Sequence, residues 1–567
     1  MRISRRGLFT GAAALAAGAA QAAGPRIGLR LLETSDLHMF VADHDYYRDR
    51  PDLTVGLCRV ASVLQAARAE AANALLFDNG DIIQGNPLGD LMAVPGKLPA
   101  GKAHPIFRAM NLLDYDAATL GNHEFNYGLD FLGRALEGAR FPFVCANVTW
   151  ANGDAFLPPH LVLTRRLRAD DGSLHEVRIG VIGFVTPQIM VWDRSHLEGK
   201  VRAEDITDTA ARLVPALRAQ CDILVGLSHS GISAAPRTNG FENASLHLAG
   251  VAGFDAIFTG HSHRVFPGPD YRSGQGIDAT EGTLAGVPAV MPGFWGSHLG
   301  VIDLELTHDG TRWRPVAQTA VTRPIYRREA GKVVPLVEPT RAITEEIRAE
   351  HELTRAWVSQ PVGRSARPLS TRFALVGDTS VMDLINAAQI WYSRDLLADT
   401  PYAALPLLSA AAPFKAGFTP DAFVDLPAGP LAIRDLAEIY LFANTIAAVR
   451  ITGAWVQEWL ERSANVFNRI DPTVQTPQEL IDRRVPSYNF DLIADLEWEY
   501  DITQPARYGT TASPANPAAH GCATCATRAR RSTRRRNSSS SPTITVPTAA
   551  AASRGSMAAT WCCARRI

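Results

Sequence analysis

Cysteine is scarce in this chain of 567 residues, and what little there is follows no pattern. Of seven cysteines, Cys58, Cys145 and Cys221 lie far apart in the body, with no ligand-like spacing. Cys522, Cys525, Cys562 and Cys563 crowd the end; Cys522 and Cys525 form a CxxC pair, but no second pair follows at metal-type spacing. A Cys-ligated structural zinc is therefore not expected. No stretch reaches the roughly 20 consecutive apolar residues that a membrane-spanning helix needs, so stable membrane insertion is not expected either. Neither sign of charge is in excess: the formal net charge is −1, which gives no electrostatic case for a nucleic-acid polymer as partner. Internal repeats are absent.

What is present is a hydrophobic content of 46% with 20% charged residues, the balance of a soluble globular protein long enough for two domains. The N-terminus reads as a targeting segment. Ser4-Arg5-Arg6-Gly7-Leu8-Phe9 resembles a twin-arginine signal, a weakly hydrophobic stretch runs from Leu8 to Ala20, and Ala20-Gln21-Ala22 offers small residues for cleavage. Residues 1–22 are thus expected to direct export through the twin-arginine machinery to the periplasm of a bacterial cell.

From residue 25 to about 325, short apolar strands alternate with helical stretches, the pattern of a layered α/β domain. A helix is expected over 57–72, strands over 179–185 and 299–306, and a bridging helix over 340–350 within a linker of residues 326–355. A second α/β domain covers 356–508, with helices over 381–392 and 449–464; Trp455 and Trp459 in the latter are expected to pack in its core. Beyond Tyr508 the character changes: 509–567 holds no Asp, Glu or Lys. With GC-rich codons, Cys522-Ala-Thr-Cys-Ala526 is what Val-Arg-Asp-Leu-Arg becomes when read one base late. Residues 509–567 are therefore expected to be a frameshifted or disordered tail, leaving the second domain incomplete.

Five polar clusters in the first half carry the chemistry: Asp36-Leu-His38, Asn79-Gly-Asp81, Gly121-Asn-His-Glu124, Ser228-His-Ser230 and Gly260-His-Ser-His263. Each follows an apolar run, placing Asp, Asn and His at the carboxyl ends of buried strands, where open α/β sheets form their ligand crevice. Singly, each reads as an ordinary strand-end turn; their order and shared placement point to one site. Oxygen and imidazole ligands without thiolate suit Mn, Zn, Fe or Co. Two divalent ions about 3.5–4 Å apart need a carboxylate that reaches both, for which Asp81 is the candidate. Asp36, His38 and His263 would complete one shell, and Asn122, His229 and His261 the other. His123 is left to bind phosphate and protonate the leaving alkoxide.

These residues carry a resemblance. With Leu32-Glu-Thr-Ser-Asp-Leu-His38, Asp78-Asn-Gly-Asp-Ile-Ile-Gln-Gly-Asn-Pro-Leu88, Gly121-Asn-His-Glu-Phe-Asn-Tyr-Gly-Leu129 and Tyr488-Asn-Phe-Asp491, the chain is similar to the calcineurin-like metallophosphoesterases. Within them it resembles the bacterial periplasmic 5′-nucleotidase family, nearest to its 2′,3′-cyclic phosphodiesterase/3′-nucleotidase branch. The resemblance, over about 28–508, implies a metallophosphoesterase sandwich followed by a 5′-nucleotidase-type substrate domain. It also implies hydrolysis of 2′,3′-cyclic nucleotides and 3′-nucleotides by a monomer; a 5′-nucleotidase or UDP-sugar hydrolase, or a nucleotide-binding protein impaired by its tail, are the alternatives. The 5′-nucleotidase branch commonly has Asp three positions after the catalytic His, where this chain has Asn126. Ile439-Tyr-Leu-Phe-Ala-Asn-Thr445 matches a nucleoside-recognition segment, which makes Tyr440, Phe442 and Asn444 the candidate base-binding residues.

Overall fold

Several strands of the first half are apolar at successive positions rather than alternately, because they are covered on both faces. Leu31 and Leu32 are both fully buried, as are Ile223 and Leu224. The computed structural model describes residues 24–417, 422–440, 444, 446–509 and 516, with the backbone of strands Cys522–Thr527 and Thr543–Thr548. The twin-arginine segment and Phe442 lie outside the described residues.

One sheet runs in the order Trp313–Pro324, His298–His308, Arg26–Thr34, Ala74–Asp78, Ala117–Thr119, Phe143–Val144. The last four of these strands are parallel to one another. A second sheet has parallel strands Leu174–Val185, Ile223–His229, Ala256–Thr259 and Val287–Pro292 at its centre. The two sheets face each other through Leu31, Leu75, Phe77, Ile179, Val225 and Phe258, with the Phe77 and Phe258 rings 5.7 Å apart. Residues between these inward positions face outward under a helix. Leu32 and Leu76 meet the helix Leu57–Ala69, while Ile182 and Leu224 meet Ile206–Arg218. The result is a four-layer helix–sheet–sheet–helix sandwich, in which all five polar clusters lie at the carboxyl ends of parallel strands.

The bridging helix differs from the expectation. It is two pieces, Arg341–Glu346 and Arg348–Val358, broken at Ile347. Ile343 and Ile347 are buried in the first-half core, and Arg108 holds Glu346 and Glu350 at 2.9 Å each, so the linker bends to follow that surface.

In the second half, Ser380–Leu397 is helical over more than the expected span. The other helix begins only at Gly453; Val449 belongs to the strand Ala447–Thr452 before it. Its apolar face is Val456 and Leu460, both buried, so Trp455 points outward with 59% of its surface exposed. Core packing of Trp455 is thus corrected by helix phase. Trp459 is partly buried, and its indole N–H donates to Asp491 at 2.8 Å. A four-stranded sheet runs Ala447–Thr452, Thr543–Thr548, Ser409–Ala411, Leu492–Ala494. Within the region read as out of frame, Cys522–Thr527 also pairs, with Leu496–Tyr500. No helix among the described residues is long and apolar enough to cross a membrane.

Candidate metal centre

The five clusters converge because the two facing sheets end their parallel strands at one edge. Two groups of ligand atoms form there: Asp36, His38, Asp81 and His263 in one, and Asp81, His229 and His261 in the other, the atoms of each within 4.8 Å of one another. Asp81 is common to both. Asn122 joins the second, its Oδ1 3.2 Å from His229 Nε2 and 2.8 Å from His261 Nδ1. All seven side chains named as ligand candidates from the sequence therefore meet in one place.

The backbone is bent hard to bring them there. Asp36, His38, Asp81, His261 and His263 have φ of 53°, 46°, 58°, 68° and 56°. Such left-handed conformations cost non-glycine residues on the order of 1 kcal/mol or more and gather at functional sites. Glycines permit the close approach. A Cβ on Gly121 would lie 2.2 Å from Asp81 Oδ1, and one on Gly80 would lie 2.3 Å from the Gly121 nitrogen.

Outer contacts fix the ring orientations. His38 Nδ1 donates to the Gln84 carbonyl at 2.8 Å and His229 Nδ1 to that of Asn79 at 2.7 Å, which turns Nε2 of each toward the centre. His261 presents Nδ1 to Asn122 and Nε2 to Glu242, 2.9 Å away. Phe294 stacks on His263 and Trp192 on His261, with ring centroids 4.8 and 5.7 Å apart.

The residues fit divalent cations. The lone pair of His38 Nε2 lies 3.0 Å from His263 Nε2 and 3.6 Å from Asp81 Oδ2, a convergence of acceptors that positive charge would stabilise. The electrostatics agree. Burial opposes ionisation of Asp81, yet the surrounding His229, His123 and His38 hold its carboxyl well below the ordinary range. Burial would depress His229, but the Asp81 and Asp36 carboxylates outweigh it and raise that imidazole to about 10. His38, more strongly desolvated than its acidic neighbours can offset, is pushed down to about 3 and stays neutral.

His123 stands beside this centre rather than in it. Its ring is 5.0 Å from that of His38, its backbone N–H donates to Asp81 Oδ1 at 2.7 Å, and Nδ1 is 2.6 Å from Asn126 Oδ1. In the second half, the half-buried Tyr440 meets Phe414 edge-to-face at 4.9 Å, and the Asn444 amide donates to its hydroxyl at 3.3 Å.

Sequence reasoning assigned no role to Glu124, although it sits in the Gly121-Asn-His-Glu motif. It is fully buried. Its carboxylate accepts the N–H groups of Asp81, Ile82, Ile83 and Gly121 at 2.8, 2.5, 3.2 and 2.5 Å, clamping two ligand loops together. Nor did it find Asp193, which reaches Asn126 from 67 positions away and leaves no spacing signal.

Comparison with known proteins agrees with this geometry. Residues 29–265 match the calcineurin-like phosphoesterase family and residues 361–516 the 5′-nucleotidase C-terminal domain. The chain is 45% identical over 502 residues to a 2′,3′-cyclic-nucleotide 2′-phosphodiesterase/3′-nucleotidase of Yersinia enterocolitica, covering 87% of this chain and 76% of that one. The crystal structure of the calcineurin-like phosphoesterase YfkN from Bacillus subtilis aligns with TM-score 0.55 at 39% identity, over 59% of this chain and 99% of that one. A putative 5′-nucleotidase from Staphylococcus aureus shares the fold at TM-score 0.65 and 19% identity, over 92% of this chain and 90% of that one. The chain belongs to the calcineurin-like metallophosphoesterases with a 5′-nucleotidase C-terminal domain, in the family of the bacterial 2′,3′-cyclic-nucleotide 2′-phosphodiesterase/3′-nucleotidases.

Proposed function

We propose that the chain hydrolyses 2′,3′-cyclic nucleotides and 3′-nucleotides to nucleoside and phosphate in the bacterial periplasm, after export through the twin-arginine machinery, and acts as a monomer. The observation that carries this reading is the single carboxylate, Asp81, common to two ligand groups with the His123 ring alongside. Asp36, His38 and His263 would hold one cation and Asn122, His229 and His261 the other, with Asp81 available to both. Two bound divalent ions (Mn, Zn, Fe or Co) would supply Lewis-acid neutralisation of phosphoryl charge and a lowered pKa for the attacking water. His123 gives the proton to the departing ribose oxygen from Nε2, while Nδ1 is held by Asn126. Asn122 contributes a neutral oxygen, which limits the negative charge that meets an anionic substrate. Tyr440 and Asn444, with Phe442, take the base; stacking on one ring contributes about 1–3 kcal/mol.

We assign a metallophosphoesterase domain to 25–325, a linker to 326–355, a substrate domain to 356–508 and an out-of-frame tail to the residues beyond. The C-terminal family match ending at residue 516 supports the last of these. It also favours a second reading, in which base binding is impaired and the chain turns over nucleotides poorly. Phosphate release from 2′,3′-cyclic AMP, 3′-AMP and 5′-AMP tests both, in this chain and in one with the reading frame restored after residue 508. The cyclic and 3′ substrates are expected to be preferred over 5′-AMP, with a lower KM once the frame is restored. His123→Ala is expected to lower kcat about 10²–10⁴-fold at unchanged metal content. Equal loss of metal, or a preference for 5′-AMP, would overturn the division of roles.

A further inference from the structure

His123 is held through a second side chain to a third. Its Nδ1 lies 2.6 Å from Asn126 Oδ1, and the Asn126 amide N–H donates to Asp193 Oδ1 at 2.9 Å. Asp193 arrives from another part of the chain, at the junction of the short helices Ile189–Trp192 and Arg194–Leu197. Only 5% of it is exposed, and its other carboxylate oxygen has no protein partner. The carboxylate thus makes one side-chain contact, and that contact leads to His123.

The chemistry of the three groups makes the chain directional. A carboxylate oxygen without a hydrogen only accepts hydrogen bonds, so the Asn126 amide turns its NH2 toward Asp193 Oδ1. Its carbonyl oxygen then faces His123 and can likewise only accept, which requires the hydrogen on Nδ1. That leaves Nε2, the atom away from Asn126, as the position that takes up and releases a proton. Without Asp193 the amide loses this bias. Turned end for end, it would offer NH2 to Nδ1 and stabilise the opposite tautomer, in which Nδ1 is the acceptor. An asparagine beside a histidine cannot by itself choose between these arrangements; a buried carboxylate behind it can.

We propose that Asp193 is a positioning residue for phosphoester hydrolysis, which acts through the Asn126 amide to fix the tautomer and direction of the His123 ring. The inference rests on the reading of His123 as the proton donor to the leaving group. It predicts an interchange. If the carboxylate is moved one link inward, by Asn126→Asp, both its oxygens accept and the bias no longer needs Asp193. With Asp193 still present, the two carboxylates would stand in contact and repel each other.

The test is steady-state hydrolysis of methyl ribofuranoside 2,3-cyclic phosphate, which needs no base recognition but has an alkoxide leaving group that must be protonated, with bound metal measured on each full-length variant. Asp193→Ala is expected to lower kcat about 10- to 100-fold, the size of effect that loss of an outer partner has on metal-ligating histidines, with KM and metal content little changed. Asp193→Asn, which keeps the shape but lets either end of its amide face Asn126, falls between wild type and Asp193→Ala. Asn126→Asp combined with Asp193→Ala, which preserves the wild-type charge, regains most of the loss and exceeds Asn126→Asp alone. Wild-type kcat in both single Asp193 variants would overturn the proposal. So would a loss in Asp193→Ala that the added Asn126→Asp fails to restore, because that is the mark of structural damage. His123→Ala runs alongside: if it matches wild type, the reading of His123 fails and takes this inference with it, whereas an inactive His123→Ala beside a fully active Asp193→Ala sinks the inference alone.

Discussion

Replacing Glu124 with glutamine should loosen the metal centre without replacing any candidate ligand. The two carboxylate oxygens accept four backbone N–H groups: Asp81 and Gly121 on one, Ile82 and Ile83 on the other. Glutamine turns one oxygen into NH2, so two buried donors face a donor. Each unsatisfied buried N–H costs about 1–3 kcal/mol, giving a loss of roughly 2–6 kcal/mol. One effect opposes it. After burial itself, repulsion from the Asp81 carboxylate is the main reason the Glu124 carboxyl is raised, and a neutral amide relieves both. The donors should win, because two orphaned N–H groups remain whichever way the amide turns. For a domain of roughly 300 residues each kcal/mol moves the melting temperature by about 1.5 °C, so calorimetry of the metal-loaded variant should show a fall of at least about 3 °C. Metal content per chain should fall with it, as the Gly121–His123 loop drifts from Asp81. An unchanged melting temperature with full metal content would refute the clamp.

Two further expectations concern buried titratable groups away from the centre. His104 is fully buried with both ring nitrogens unpartnered, and burial holds it near 3. Its unfolded value is about 6.5, so the unfolded chain binds the proton more readily and stability is lost as pH falls from about 6.5 toward 3, by about 2 kcal/mol between pH 7 and pH 5. Denaturant unfolding at the two pH values should show this loss in wild type and about 2 kcal/mol less of it in His104→Leu; equal slopes would refute it. Asp491 runs the other way, raised by burial to about 6 despite the Trp459 N–H. The folded protein holds this proton more tightly, so stability declines as pH rises from about 4 through 6, by up to about 3 kcal/mol at pH 7. Asp491→Asn, which keeps an acceptor for Trp459, should remove the decline, and a wild-type pH profile in that variant would count against it.

The candidate centre was legible because its ligands occupy the same kind of position, the first polar residues after a buried strand. That position is set by local sequence: an apolar run fixes the strand, and Asp-Leu-His or Asn-Gly-Asp ends it. Burial on both faces made the strands continuous apolar runs, which is why Leu31–Leu32 and Ile223–Leu224 marked them so clearly. Helix phase was harder. Trp455 and Trp459 lie one turn apart, but the helix turns Val456 and Leu460 inward and leaves Trp455 in solvent, because size alone does not say which face meets the core. The break at Ile347 was illegible for a similar reason. It follows the surface to which Arg108 ties Glu346 and Glu350, and nothing in the local sequence encodes that surface.

Glu124 and Asp193 show two reasons a role escapes sequence reading. Glu124 stands inside a motif, but its partners are backbone N–H groups, which every non-proline residue carries and no residue type announces. Asp193 has a side-chain partner, but that partner is an asparagine whose own usefulness depends on which way its amide points. In both cases the chemistry lies in orientation rather than composition. The strained φ angles at Asp36, His38, Asp81, His261 and His263 belong to the same argument. A flexible loop would relax such residues toward the ordinary α or β regions. They stay where they are because Glu124 pins the Asp81 loop to the Gly121 loop, the Asp36 carboxylate accepts the His261 N–H at 3.1 Å, and the Trp295 N–H donates to the Asp36 carbonyl at 2.7 Å. Backbone contacts therefore help set the ligand directions, and the ordering cost of such contacts is met on folding.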